Sequence, residues 1–165
     1  MSNQPLTSVL LNPAKGPAGT NEADWTYTGN NRFDLKTGAV AESLEVPEPG
    51  HMIFHIRHGI YFGLNPNMEA SKLVNGRELV ADDVVYTLNR LFTEPRAYLR
   101  NAYSNVAKGM VMTATDKYTV DIKVDIGAFA DAFSVIPDMA DIVAPEVVAK
   151  YGNLLDWKNC VGTGP

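Results

Sequence analysis

The chain reads as α+β: antiparallel β-hairpins packed with several short helices. Three observations predict this class. Two segments alternate apolar and polar residues with a period of two, and a segment between them carries apolar residues at helical spacing. In the first hairpin, "VAESLEV" leads into Pro47-Glu48-Pro49-Gly50, a cluster of turn residues, and "HMIFHIR" follows. Met52, Phe54 and Ile56 alternate with His51, Ile53, His55 and Arg57, the pattern of a half-buried strand. Gly63 to Gly76, "GLNPNMEASKLVNG", is expected to be a long polar loop.

The helix follows. In "NGRELVADDVVYTLNRLF", Ala81, Val84, Val85, Leu88, Leu91 and Phe92 share one side at 100° per residue, with Asp82, Asp83, Tyr86, Asn89 and Arg90 outside that stripe. A short helix is expected near Arg96 to Ser104. The second hairpin is "GMVMTATDKYTVDIKVD": Tyr118, Val120, Ile122 and Val124 alternate with Thr119, Asp121, Lys123 and Asp125 beyond a turn at Asp116-Lys117. Another short helix fits Ala128 to Ser134, and "MADIVAP" suits a strand. Pro145 opens a helix "PEVVAKY" that Gly152 ends. Residues 1–24 lack any period and read as a loosely packed arm.

Length and charge narrow the function. A chain of 165 residues fits one domain with a core of its own. Net charge is -5 with a pI near 5.1, and no basic block matches a phosphate backbone, so nucleic acid is not an expected partner. No apolar run approaches the roughly 18 residues needed to cross a bilayer. Cys160 is the only cysteine, which excludes an intrachain disulfide. Met1 to Val9 has neither the basic start nor the apolar stretch of a secretory signal. The chain is therefore either cytoplasmic or a segment of a longer precursor, and the glycine-rich ending Val161-Gly162-Thr163-Gly164-Pro165 favours the segment.

Several residues invite a chemical reading. Asp82 and Asp83 are neighbours on a helix and point about 100° apart, so they do not converge on one ion. They are expected to start the helix, where the macrodipole favours negative charge. His51, His55 and His58 would share a face on a helix and suit zinc. On a strand, His51 and His55 stand about 13 Å apart and His58 points the other way, so exposed strand-face histidines are the expectation. Cys160 has no local base to activate it, and Ser43 in Ala-Glu-Ser-Leu forms no nucleophile elbow. "KGPAGT" lacks the Gly-Lys-Thr ending of a phosphate loop. The aromatic residues Trp25, Tyr27 and Phe33 suit core packing or a pocket. Neither catalytic residue, metal nor cofactor is expected.

Five segments, in order, resemble one family. "AVAESLEV" resembles the Leu-Ala-Glu-Ser-Trp-x-Val segment of the bacterial extracellular solute-binding proteins of family five, the peptide, oligopeptide and nickel binders of ABC importers. "FHIRHGIYF" is similar to their Phe-x-Leu-Arg-x-Gly-Val-x-Phe, and "NGRELVADDVVYTLNRL" to their Asp-Gly-x-Pro-Leu-Thr-Ala-x-Asp-Val-Val-x-Ser-Leu-x-Arg. "YTGNNRFDLKTG" and "VGTGP" match a segment before these and one after. Leu44 stands where the family has Trp, and Val80 where it has a helix-capping Thr.

The resemblance implies a non-enzymatic fragment of a two-lobed binding protein. Residues 25–160 would be its small inserted domain, and residues 161–165 the start of the crossing back to a lobe. It implies a peptide or other small solute as ligand, ABC permease subunits as partners, and a periplasmic or extracellular location. Membrane attachment would come only through a lipid anchor that this chain does not contain. Tyr27, Thr28, Gly29 and Asn30 would lie near the ligand cleft. Two alternatives remain open: a self-standing binding module using the aromatic residues and the Gly63 to Gly76 loop, and a metal-dependent hydrolase using Asp82, Asp83 and the histidines.

Overall fold

The computed structural model describes residues 11–12 and 37–163. Tyr27 to Asn30, Trp25 and Phe33 lie outside the described residues, as do Gly164 and Pro165. Two short strands, β1 (Leu11–Asn12) and β2 (Thr37–Gly38), pair antiparallel. Leu11–Asn12 thus forms a short strand within the segment read as a loosely packed arm.

The main sheet has four antiparallel strands in the order β3-β4-β6-β5: β3 (Ala41–Glu48), β4 (His51–Ile56), β5 (Val111–Asp116) and β6 (Thr119–Lys123). Both predicted hairpins form, and β4 and β6 join them at the centre of the sheet, with Phe54 opposite Val120. Gly50 closes the first turn at φ +92, and a Cβ there would meet the Val124 carbonyl oxygen at 2.8 Å. Asp116 shapes the second turn by accepting the Tyr118 N–H at 2.7 Å, the local bond that suits Asp to turns.

The period-two pattern sorts the faces as predicted. Met52, Phe54, Ile56, Val120 and Ile122 are buried beneath the helices, together with Leu44 of β3. The opposite face carries His51, Ile53, His55, Thr119, Asp121 and Lys123, all partly or fully exposed.

Helix α1 (Glu69–Val74) lies inside the segment expected to be loop, which is a correction. Ala70, Ser71 and Val74 are its buried residues, a spacing that six residues flanked by Asn and Pro disguise. Helix α2 (Ala81–Thr93) forms as predicted and buries Ala81, Val84, Leu88 and Phe92. It also buries Asp83 and Thr87, which the apolar stripe did not include. The Thr87 hydroxyl takes up the Val143 N–H at 3.1 Å, which explains its burial.

The helix expected near Arg96 to Ser104 is divided into α3 (Tyr98–Ala102) and α4 (Ser104–Gly109). A 3-10 turn (Ile126–Ala128) leads into α5 (Phe129–Met139), which continues past Ser134 and through Pro137. Residues 140–144 form no strand, contrary to the reading of "MADIVAP". Ala140, Ile142, Val143 and Ala144 are instead buried as irregular chain, the Val143 amide satisfied by Thr87. Helix α6 (Pro145–Tyr151) starts at its proline and ends at Gly152, whose φ of 72 and N–H bond to Val148 make a left-handed cap. Beyond it, Val161 is buried, and the Gly162 carbonyl accepts the Gly63 N–H at 2.7 Å.

Candidate functional site

Arg77 stands just before α2 at a dense polar junction. Its Nη1 and Nη2 donate to the two carboxylate oxygens of Asp83 at 2.8 and 2.6 Å. Nη2 also donates to Glu146 Oε2 at 2.9 Å, Nε to Glu146 Oε1, and Nη1 to the Glu78 carbonyl at 3.1 Å. All five guanidinium donors are therefore engaged. The Phe62 ring lies beneath, 5.0 Å from Cζ to its centroid. The two carboxylates, Asp83 first, hold the Arg77 proton even more firmly than usual, and Arg77 holds the Glu146 carboxyl below its ordinary range.

This junction settles the role of the acidic doublet. Asp83 is 4% exposed at its side chain, and its Oδ2 also accepts the Val80 N–H at 2.9 Å. Valine has no acceptor side chain, so only the carboxylate half of a capping box exists. Asp83 satisfies the backbone N–H of the cap residue itself and pins α2 to the N-terminus of α6 through Arg77. Asp82 points to solvent in the first turn. The doublet starts the helix, as expected, and half of it also ties three elements together.

A second junction surrounds Glu78. One carboxylate oxygen accepts the Gly59 N–H at 2.9 Å, and the other accepts Lys117 Nζ at 2.8 Å and the Tyr118 hydroxyl at 3.0 Å. Lys117 first, then Gly59 and Tyr118, bring the Glu78 pKa down from the ordinary 4.5 to about 2. A group with a depressed folded-state pKa stabilises fully above its unfolded value and loses that contribution as pH falls. Wild-type stability should therefore drop between pH 4.5 and about 2. Glu78→Gln should be less stable at neutral pH and flatter across that window. Urea midpoints in an acid series measure it, and parallel curves for the two proteins would refute the assignment.

The histidines do not converge. His51 Nε2 bonds Asp121 Oδ2 at 2.7 Å, His55 Nε2 bonds Glu45 Oε1 at 2.9 Å, and His58 stacks on Tyr118 with centroids 3.8 Å apart. They are less free than the exposed residues expected, since the His51 side chain is 16% exposed. Ser43 lies opposite His55 in the β3–β4 register, but the His55 ring bonds Glu45 rather than the serine hydroxyl. Burial, with Asp156 nearby, raises the Cys160 pKa, which leaves its thiol protonated and a weak nucleophile. Among the described residues, no three His, Cys, Asp or Glu side chains are grouped to hold a metal ion.

An open cleft of about 510 Å³ lies between the start of α1 and the Asp156 to Asn159 turn. Met68 and Trp157 give it apolar surface, and Asn67, Glu69 and Lys158 edge it. Those three edge residues are exposed, so no buried polar group aims at a ligand. The Gly63 to Gly76 segment does line a cleft, as the binding-module reading expected, but an open one.

Residues 37–165 match the profile of the bacterial extracellular solute-binding proteins, family 5, middle region. The chain belongs to this family. No curated protein matches it. Among solved structures, the oligopeptide-binding protein AppA from Bacillus subtilis, in complex with a nonapeptide, is similar at 18% identity and a TM-score of 0.65. That alignment covers 96% of this chain and 27% of AppA. The dipeptide binding protein of Pseudoalteromonas sp. SM9913, in complex with Met-Leu, aligns at 19% identity and a TM-score of 0.65, covering 96% of this chain and 30% of that one. MoaA from A. tumefaciens R10, in complex with mannopinic acid, aligns at 19% identity and a TM-score of 0.62, covering 96% and 27%. This family-five chain thus shares their fold while spanning less than a third of their length. The family is one of extracellular or periplasmic binding proteins, and no helix among the described residues is long and apolar enough to cross a membrane.

Proposed function

We propose that this chain is the small inserted domain of a longer solute-binding protein, with residues 1–24 as an arm, 25–160 as the domain and 161–165 as the crossing to a lobe. The whole protein captures a peptide or another small solute outside the cytoplasmic membrane, held there by a lipid anchor, and hands it to ABC permease subunits. It performs no catalysis. The domain's own part is structural, and Tyr27, Thr28, Gly29 and Asn30 are the positions nearest the solute. The observation that carries this reading is the family profile over residues 37–165. It is supported by polar junctions whose donors are consumed internally, as at Arg77.

Capture of this kind works by population shift: a solute touching both lobes stabilises the closed arrangement. A domain whose clefts among the described residues are open makes too few contacts to hold a peptide. Isothermal titration calorimetry of this chain with di-, tri- and nonapeptides should accordingly show no heat of binding at micromolar concentrations. Saturable micromolar binding would instead favour the self-standing module, with the cleft beside Trp157 as its site. In the longer protein, Tyr27→Ala should weaken solute affinity, and unchanged affinity would remove the four residues from the site.

A further inference from the structure

The helical end of the domain carries a charge opposite to the rest. Residues 90–109 hold four cations, Arg90, Arg96, Arg100 and Lys108, and one acid, Glu94, in a chain of 14 cations and 19 acids. Lys72, Arg77 and Lys117 are each engaged in ion pairs, whereas these four form none among the described residues. Arg100 and Lys108 line one open groove of about 450 Å³, with Thr93, Asn101 and Ser104 beside them. Arg96 is exposed in the turn that enters α3, and Arg90 lies in the last turn of α2.

The patch is held in shape. Asn101 Nδ2 donates to the Pro95 and Ala97 carbonyls at 3.1 and 2.8 Å, which fixes the turn bearing Arg96. Tyr98 is the next residue but one, and it is 67% exposed on a helix whose Leu99 is buried. One acid, the exposed Glu94, lies within the segment, and on the α5 side Asp131 accepts from Asn105 and Asp125 sits against Gly109.

Arginines and a lysine concentrated in residues 90–109, with a projecting tyrosine among them in sequence, match the chemistry of an anionic lipid surface. The cations meet headgroup phosphates, and the amphipathic ring sits at the polar–apolar boundary. We propose that the α3–α4 end of this domain docks on anionic phospholipid bilayers. The inference uses this chain's own residues and stands apart from solute capture, so a failure of peptide binding leaves it intact.

The test is vesicle flotation of the whole chain. With an equal mixture of phosphatidylcholine and phosphatidylglycerol, bound protein should exceed that on phosphatidylcholine alone by about tenfold and fall with added salt. Arg96→Glu with Arg100→Glu should abolish the excess, and both sites are surface positions, so circular dichroism should stay unchanged. Lys123→Glu, on the exposed sheet face, should float like wild type and separates a local patch from total charge. Tyr98→Ser should weaken binding without changing its salt dependence. Equal flotation on neutral and anionic vesicles would overturn the proposal, as would an active charge-reversal variant. Loss of flotation on adding inorganic phosphate at constant ionic strength would also overturn it, by showing a small-anion site.

Discussion

Arg77→Met is expected to lower stability by about 3 kcal/mol in urea denaturation, the low end of the 3–5 kcal/mol seen when one partner of a buried ion pair is removed. Methionine keeps much of the stem's volume and its contact with Phe62, so packing changes little. What changes is charge: Asp83, only 4% exposed, is left in the interior with the Val80 N–H as its remaining partner. Arg77 and Glu146 are each about one-third exposed, and water there lowers the effect toward the bottom of the range. Adding Asp83→Asn to the variant should recover part of the loss, because it removes the unpaired charge. A double-mutant cycle isolates that coupling. A loss below about 1 kcal/mol for Arg77→Met would place the junction among ordinary surface pairs. Because a domain of this size is stabilised by only about 5–15 kcal/mol in total, the expected loss is a large share.

The junction also marks where reading the sequence stopped short. Met52, Phe54, Ile56, Val120 and Ile122 announced their burial because a strand's period is two and each side chain had one available face. Ala81 to Phe92 announced itself in the same way at helical period. Asp83 gave no such signal. Its burial goes with Arg77, six residues before it, whose guanidinium is shared with Glu146, 63 positions after Asp83, and no local pattern reports a junction of that kind. Thr87 and Val143 make the same point: a polar residue off the apolar stripe is buried because irregular chain needs a donor and acceptor there. The one available hint was an Asp at the third helical position, where a carboxylate can accept the N–H of the cap residue Val80.

The errors share a cause. Helix α1 was hidden because six residues are too few to display a period, and its stabilisation comes from packing Ala70 and Val74 into the core. The strand expected at 139–144 failed because an apolar run of that length fits any buried chain whose amides find partners. The proposed solute-facing residues rest on the family resemblance alone. Tyr27, Thr28, Gly29 and Asn30 carry no spacing or charge pattern that physical chemistry alone would single out.

Phe54→Ala tests the core that supports both the fold and the scaffold role, and about 3–5 kcal/mol should be lost. Phe54 is fully buried on β4, with Leu44 of β3 and Val120 of β6 as its direct cross-strand partners. Removing the ring forfeits its transfer free energy and opens a cavity across the two central strands, which hold the two hairpins together. Collapse around that cavity is restricted, since Phe54's strand is paired on both sides, to β3 and to β6. Phe54→Leu keeps most of the volume and should cost less than half as much. Val111→Ala, on the edge strand and 62% exposed, should change stability by no more than about 0.5 kcal/mol. Thermal and urea unfolding of the three variants give the order directly. Were Val111→Ala as damaging as Phe54→Ala, the sheet would not be organised around β4 and β6, and the reading of the domain as a rigid support would lose its physical basis.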